Sequence, residues 1–176
     1  MTAFKYLLDS IYLGETLNLK LISDVASLVN NSAIYISNEY RKTGNNLNET
    51  DIQISSPENI EDNMKELISK YFNDWKEMDI FEREARFHIE FIKIHPFEDG
   101  NGRTSRLLLN FNLLRNGFAP VIITNDLLEF YHNYIRNNDV VGMRNLFYIQ
   151  SIKENGVINQ VYSSYDLEDI KDNKIK

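Results

Sequence analysis

An all-α domain interrupted by one small β element is the fold class this sequence predicts, and three observations carry it. Only three prolines and seven glycines occur in 176 residues, so helix-breaking positions are scarce. Apolar residues recur at helical spacing over most of the chain. The pattern breaks once, in an Asn-rich stretch containing the alternation Asp51-Ile52-Gln53-Ile54, which suits a short hairpin.

Taken in order, residues 3–12 and 19–40 read as helices, the second with Leu21, Ile22, Val25, Leu28 and Val29 along one side. Residues 43–57 hold the expected hairpin. Pro57-Glu58 opens a new amphipathic stretch, where acidic residues suit a first turn and Ile60, Met64, Leu67, Ile68 and Tyr71 follow at helical spacing. Residues 80–94 form another, with Phe81, Ala85, His88, Ile89 and Ile92 on one face. Residues 103–116 form a third, stopped by Gly117 with Pro120 just beyond. Stretches 127–136 and 140–154 complete a helical domain of residues 1–155. From there apolar density falls, and residues 156–176 are expected to be a frayed C-terminal tail.

Composition narrows the function classes. Hydrophobic residues make up 43% and charged residues 26%, enough apolar material for a packed core in one domain. The net charge of −7 argues against a protein that grips nucleic acid through its overall field. With no cysteine, thiolate catalysis, disulfides and Cys-based zinc sites are all excluded. The start Met1-Thr2-Ala3-Phe4-Lys5-Tyr6 lacks a basic segment followed by an apolar run, and no stretch has the length and apolarity of a membrane span. The expectation is a soluble cytoplasmic protein, or one delivered into a host cell by a route the sequence does not show, with neither nucleic acid nor membrane as partner.

One segment stands apart: His95-Pro96-Phe97-Glu98-Asp99-Gly100-Asn101-Gly102-Arg103-Thr104-Ser105-Arg106. Its Gly-Asn-Gly centre can bend the backbone ahead of a helix, turning several N–H groups toward one point that the helix dipole makes positive. Arg103 and Arg106 sit three apart in the first turn, on one side. Positive charge there is unfavourable by ~0.3–1 kcal/mol per group unless an anion offsets it, as a bound polyphosphate would. Asp99 is placed to hold Mg²⁺, which takes one or two carboxylates plus substrate oxygens. His95, with a reference pKa of about 6.5, is the group able to exchange a proton near neutrality. Base, metal ligand and phosphate cradle together describe a phosphate-activated transfer to a hydroxyl. His88, among Ala85, Ile89 and Ile92, reads as a hydrogen-bonded core residue.

The segment resembles the signature of the Fic family, His-x-Phe-x-(Asp/Glu)-Gly-Asn-Gly-Arg-x-x-Arg, at every defined position. Residues 94–123 are similar to the core of animal Fic AMP-transferases, including Thr104-Ser105-Arg106-Leu107-Leu108 and Pro120-Val121-Ile122-Ile123. Weaker similarity runs from Tyr40-Arg41 to Met64, where the family places a β-hairpin flap over its target peptide. The resemblance implies a compact Fic-type helical domain that moves AMP from ATP, with Mg²⁺, to a Tyr, Thr or Ser hydroxyl of a target protein. His95 would deprotonate that hydroxyl for attack on the α-phosphorus. Phe97 would pack the signature loop onto the core, and Asp99 would hold Mg²⁺ against the α- and β-phosphates. Gly100, Asn101, Gly102 and the neighbouring backbone would form the anion hole, with Arg103 on the β-phosphate and Arg106 on the γ-phosphate. In the phosphorylating branch of the superfamily a Lys replaces the acid, so Asp99 argues against that branch.

The same resemblance places an adenine pocket near Tyr131, His132 and Asn138, with Asp139 competing for the last position, and a target-docking flap at Thr50, Asp51, Ile52 and Gln53. Many members carry an inhibitory helix, (Ser/Thr)-x-x-x-Glu-(Gly/Asn), whose Glu pairs with the second signature Arg. No such motif precedes the signature here. Ser164-Tyr165-Asp166-Leu167-Glu168 has the spacing but is followed by Asp169, and Ser151-Ile152-Lys153-Glu154-Asn155 has the wrong spacing. Ser164 and Glu168 are therefore the candidate inhibitory pair, with an antitoxin-like partner that supplies the helix, or an uninhibited enzyme, as the remaining options. Two rival activities follow from the same residues: removal of AMP from a modified protein, and a nucleotide-binding, toxin-like module held silent by a partner.

Overall fold

The computed structural model describes residues 1–30, 39–44 and 52–172, with side chains to Asn159. Helix α1 (Ala3–Tyr12) starts where the Thr2 hydroxyl accepts from the Lys5 amide, and α2 (Leu19–Val29) where the Asn18 side chain accepts from Leu21. A 3₁₀ turn at Pro57–Asn59 leads into α3 (Ile60–Phe72), and Asp79 caps α4 (Ile80–Ile94) through the Glu82 amide. Helices α5 (Asn101–Arg115), α6 (Leu128–Asn137) and α7 (Val140–Asp172) follow.

Two helices make the centre. Helix α4 packs against α3, α5, α6 and α7, and α5 packs against α1, α2 and α4. Because neighbours surround it, α5 buries residues on several sides, among them Thr104, Ser105, Leu108, Phe111 and Asn112. Phe87, Phe91, Phe111 and Phe147 fill the space between the central helices, each fully buried, and burying such a ring contributes about 1.5–3 kcal/mol. A polar knot crosses this core. The Tyr71 hydroxyl donates to Glu84 Oε1 at 2.5 Å and the Asn112 amide to Glu84 Oε2 at 3.0 Å, tying α3 and α5 to α4. Among the described residues no helix is long and apolar enough to cross a membrane.

The helical body follows the sequence pattern, with three differences. Helix α2 ends at Val29, the described residues 39–44 are not helical, and residues 31–38 of the expected 19–40 helix lie outside the described set. The Val29 carbonyl at its end is met from outside the helix by Arg103 Nη1, 3.2 Å away, and the Asn30 side chain donates across to the carbonyl of Asp99 at 2.8 Å. The hairpin expected at 43–57 shows no strand among its described residues. Ile52 is buried, Gln53 exposed and Ile54 half-buried, so the alternation is there without a ladder. Helix α7 does not fray where apolar density falls, for its backbone stays helical to Asp172. No proline follows Pro120, and Gly156 within a helix costs only about 1 kcal/mol relative to alanine.

Candidate active site

Helix α4 delivers His95. Pro96 disfavours an α conformation in the residue before it, and His95 leaves the helix in the left-handed region, φ 51°, as the C-cap with its amide on the Phe91 carbonyl. For an L-residue this costs roughly 1–2 kcal/mol, so the surroundings must impose it. The imidazole is half-buried, and burial, assisted by the positive charge of Arg41, holds its pKa below the ordinary histidine value. The Ile92 carbonyl and Asp99 oppose that shift. The net effect is a ring kept neutral, with a lone pair available, near neutral pH.

The loop from His95 to α5 is closed by one side chain. Asn101, 2% exposed, accepts from the Phe97 amide at 3.0 Å and donates to the Phe97 carbonyl at 2.6 Å. Phe97 itself is 2% exposed, against Phe91 and Tyr40. With both ends of the loop anchored, Asp99 and Gly100 form its outer edge. Gly100 has φ 78°, and a Cβ there would collide with Asn30 Oδ1 and stand 3.0 Å from Val29 Cγ1. Both the backbone conformation and the space require glycine.

No side chain caps the start of α5, whose first N–H groups have no partner within the helix. Arg103 reaches back to Asp99 at 3.0 Å and to the Val29 carbonyl at 3.2 Å. Both partners of the Asp99–Arg103 pair are exposed, and such a pair is worth only about 0–1 kcal/mol, readily exchanged for a stronger ligand. Arg106 lies over Gly102 and, with Arg103, Val29, Leu107 and Asn110, lines an open cleft of about 360 Å³. Uncapped amides and two arginines at a cleft could together hold an anion with several charges. Among the described residues no three acidic or histidine side chains gather as a metal cage. Asp99, one exposed carboxylate beside an anion site, nevertheless fits Mg²⁺, which takes most of its ligands from phosphate and water.

The remaining sequence-predicted residues divide. Tyr131 is 2% exposed, with its hydroxyl 2.6 Å from His88 Nε2, so its ring offers no open surface to a base. Arg106 is close enough to pull the Tyr131 pKa downward, against the burial that raises it overall. His132 is half-buried, and burial together with Arg106 and Arg136 lowers its pKa. Asn138 ends α6 in the left-handed region and accepts from Lys93 Nζ at 3.0 Å, whereas Asp139 caps α7 through the Gly142 amide. Of the expected flap, Thr50 and Asp51 lie outside the described residues, while Ile52 turns inward and Gln53 outward. Ser164 and Glu168 belong to the helical backbone of α7, and their side chains fall outside the described set.

Two residues of the site escape sequence reasoning. Asn30 contacts the loop from a position 69 residues earlier, and nothing in its local sequence marks it. Arg41, 2% exposed, donates Nε to the His95 carbonyl at 2.7 Å, Nη1 to the Thr43 carbonyl at 2.8 Å and Nη2 to the Ser55 carbonyl. Its only sequence signal is a place at the edge of a weak similarity. His88 is the buried residue its helical face suggests: burial and Arg106 depress its pKa to about 3, and Ser105 Oγ stands 3.5 Å from Nε2.

The model of the Fic/DOC family matches residues 16–113, more than half of the chain. Protein adenylyltransferase fic-1 of Caenorhabditis elegans is 44% identical over 70 residues, covering 39% of this chain and 14% of that protein. Protein adenylyltransferase Fic of Nematostella vectensis is 43% identical over 86 residues, covering 46% and 19%. The aligned part is thus less than a fifth of either relative. A Fic-domain signalling protein from Bacteroides thetaiotaomicron superimposes with a TM-score of 0.71 at 26% identity, over 85% of this chain and 66% of its own. Fic-1 of C. elegans superimposes with a TM-score of 0.70 at 22% identity, over 94% and 51%, a likeness of fold alone.

Proposed function

The chain belongs to the Fic/DOC family, and from that membership we propose that it is a protein adenylyltransferase that moves AMP from ATP to a Tyr, Thr or Ser hydroxyl of a target protein. The relatives named protein adenylyltransferase support the class of reaction. The observation that carries the reading is a histidine held neutral by burial at the end of α4, one closed loop away from an uncapped helix start with two arginines.

His95 takes the proton of the target hydroxyl as its oxygen attacks the α-phosphorus, and pyrophosphate leaves. A base whose pKa lies below the ordinary histidine value is unprotonated at neutral pH and needs no prior ionisation. Arg103 and Arg106 receive the β- and γ-phosphates, with the first N–H groups of α5 turned to the same oxygens. Asp99 would hold Mg²⁺, which when bound neutralises phosphate charge and orients the leaving group. On binding, Arg103 exchanges its exposed Asp99 partner for phosphate, which would leave the Asp99 carboxylate open to a cation.

Intact-mass analysis of a hydroxyl-bearing target, and of the protein itself, after incubation with ATP and Mg²⁺ tests this directly. The wild type should add one AMP mass, and His95→Ala should slow that addition by ~10²–10⁴ while ATP binding survives. Equal labelling by both proteins would remove His95 from the mechanism.

A further inference from the structure

We infer that Arg41 is a positioning residue that locks the base to the segment expected to dock the target. Its guanidinium is buried, and among the described residues all of its side-chain hydrogen bonds run to backbone carbonyls: Thr43, Ser55, His95 and Ile94. The planar fork therefore sits where three separate stretches of chain converge, each contributing an oxygen.

The three stretches are the two ends of the expected flap and the turn that carries His95. On the entry side the Arg41 amide donates to the Pro96 carbonyl at 2.8 Å, and the Lys42 amide and Thr43 hydroxyl both bind the Glu98 carboxylate. On the exit side the Ser55 amide donates to the Lys93 carbonyl at 2.9 Å. Arg41 is the one described side chain bonded to both sides and to His95 itself. Bonding the His95 carbonyl while its own amide holds that of Pro96 helps to impose the left-handed turn at φ 51°. A target peptide laid against the flap would then be registered to the imidazole by a single rigid group, and the accuracy of that register governs the transfer rate. The charge has a second effect, since Arg41 and Asp99 are the charged groups acting on the ring and Arg41 favours its neutral form.

The inference rests on the transfer reading for its kinetic arm only. Arg41→Lys keeps the charge without the fork, and Arg41→Gln keeps hydrogen bonding without the charge. With Mg²⁺-ATP and a hydroxyl-bearing target, both should lower kcat about 10- to 100-fold while the KM for ATP stays within about twofold, because the phosphate cradle lies elsewhere. A rise in the KM for ATP with kcat unchanged overturns the assignment. Ring resonances of the three histidines, identified with His95→Ala, report the base without any transfer: the His95 pKa should rise in Arg41→Gln and stay near wild type in Arg41→Lys. An unshifted His95 in Arg41→Gln counts equally against it. Should either variant fail to fold, the wild type suffices, since its Arg41 Nε–H must exchange slowly with solvent and rapid exchange refutes the clamp. A wild type with a protected Nε–H but no AMP transfer would defeat the proposed activity and leave the clamp standing.

Discussion

Replacing Asn101 with alanine removes the one side chain that spans the signature loop. The Phe97 amide and carbonyl are both buried and both bonded to Asn101, at 3.0 and 2.6 Å. Alanine leaves one donor and one acceptor without partners, in a place water reaches poorly. Each unpaired buried group costs about 1–3 kcal/mol, so the pair should cost about 2–6 kcal/mol. For a chain of this size that corresponds to a melting temperature lower by roughly 4–24 °C. Scanning calorimetry of the two proteins at one pH measures it, and titration with Mg²⁺-ATP should show weaker binding, because the loop carries Asp99 and Gly100 to the start of α5. His95→Ala is the control, since its side chain spans nothing in the loop. A melting temperature within 2 °C or so of wild type, with ATP affinity intact, would show that the loop holds its shape without Asn101 and would refute the reasoning.

Gly100→Ala should lose about 1–2 kcal/mol from the left-handed backbone alone, and more because the new methyl displaces Asn30 from the Asp99 carbonyl; equal urea midpoints for variant and wild type would contradict this. Arg106→Ala should weaken ATP binding while leaving AMP binding nearly unchanged, since its assigned partner is the γ-phosphate; calorimetric titration with each nucleotide separates the cases. Burial raises the Glu84 carboxyl from 4.5 to about 7, against the pull of Tyr71, Asn112 and Arg83. Since its folded pKa exceeds the unfolded one, its contribution is complete below about pH 4.5 and is lost as pH rises through about 7. Unfolding free energy should therefore fall between about pH 4.5 and 7, by up to ~3 kcal/mol, and Glu84→Gln should flatten that slope; a parallel pH dependence in the variant would assign the effect to other groups.

Hydrogen bonding also explains why so short a loop tolerates a costly backbone conformation at His95. His95 takes positive φ without being glycine, yet Arg41 holds its carbonyl on one side of the loop, Asn101 ties the middle and Asn30 holds the outer edge at Asp99. Three separate anchors over-determine the conformation, and preorganisation of that kind means an anion entering the cleft would meet groups already in place.

What the sequence determined by itself is everything local. Periodicity marks the helices because a 3.6-residue repeat of Ile, Leu and Phe has one way to hide its apolar side. Gly117 marks the end of α5, and the spacing of His95, Asp99, Gly100, Gly102, Arg103 and Arg106 is legible because all six lie within twelve consecutive residues. The tertiary structure alone decided who holds them. Arg41 meets His95 across 54 residues and Asn30 meets Asp99 across 69, and a backbone carbonyl as acceptor leaves no trace in the sequence, since every residue carries one. Tyr131 illustrates the reverse case. A tyrosine on an amphipathic helix can face a ligand or the core, and only the approach of His88 from α4, 2.6 Å from its hydroxyl, turned it inward.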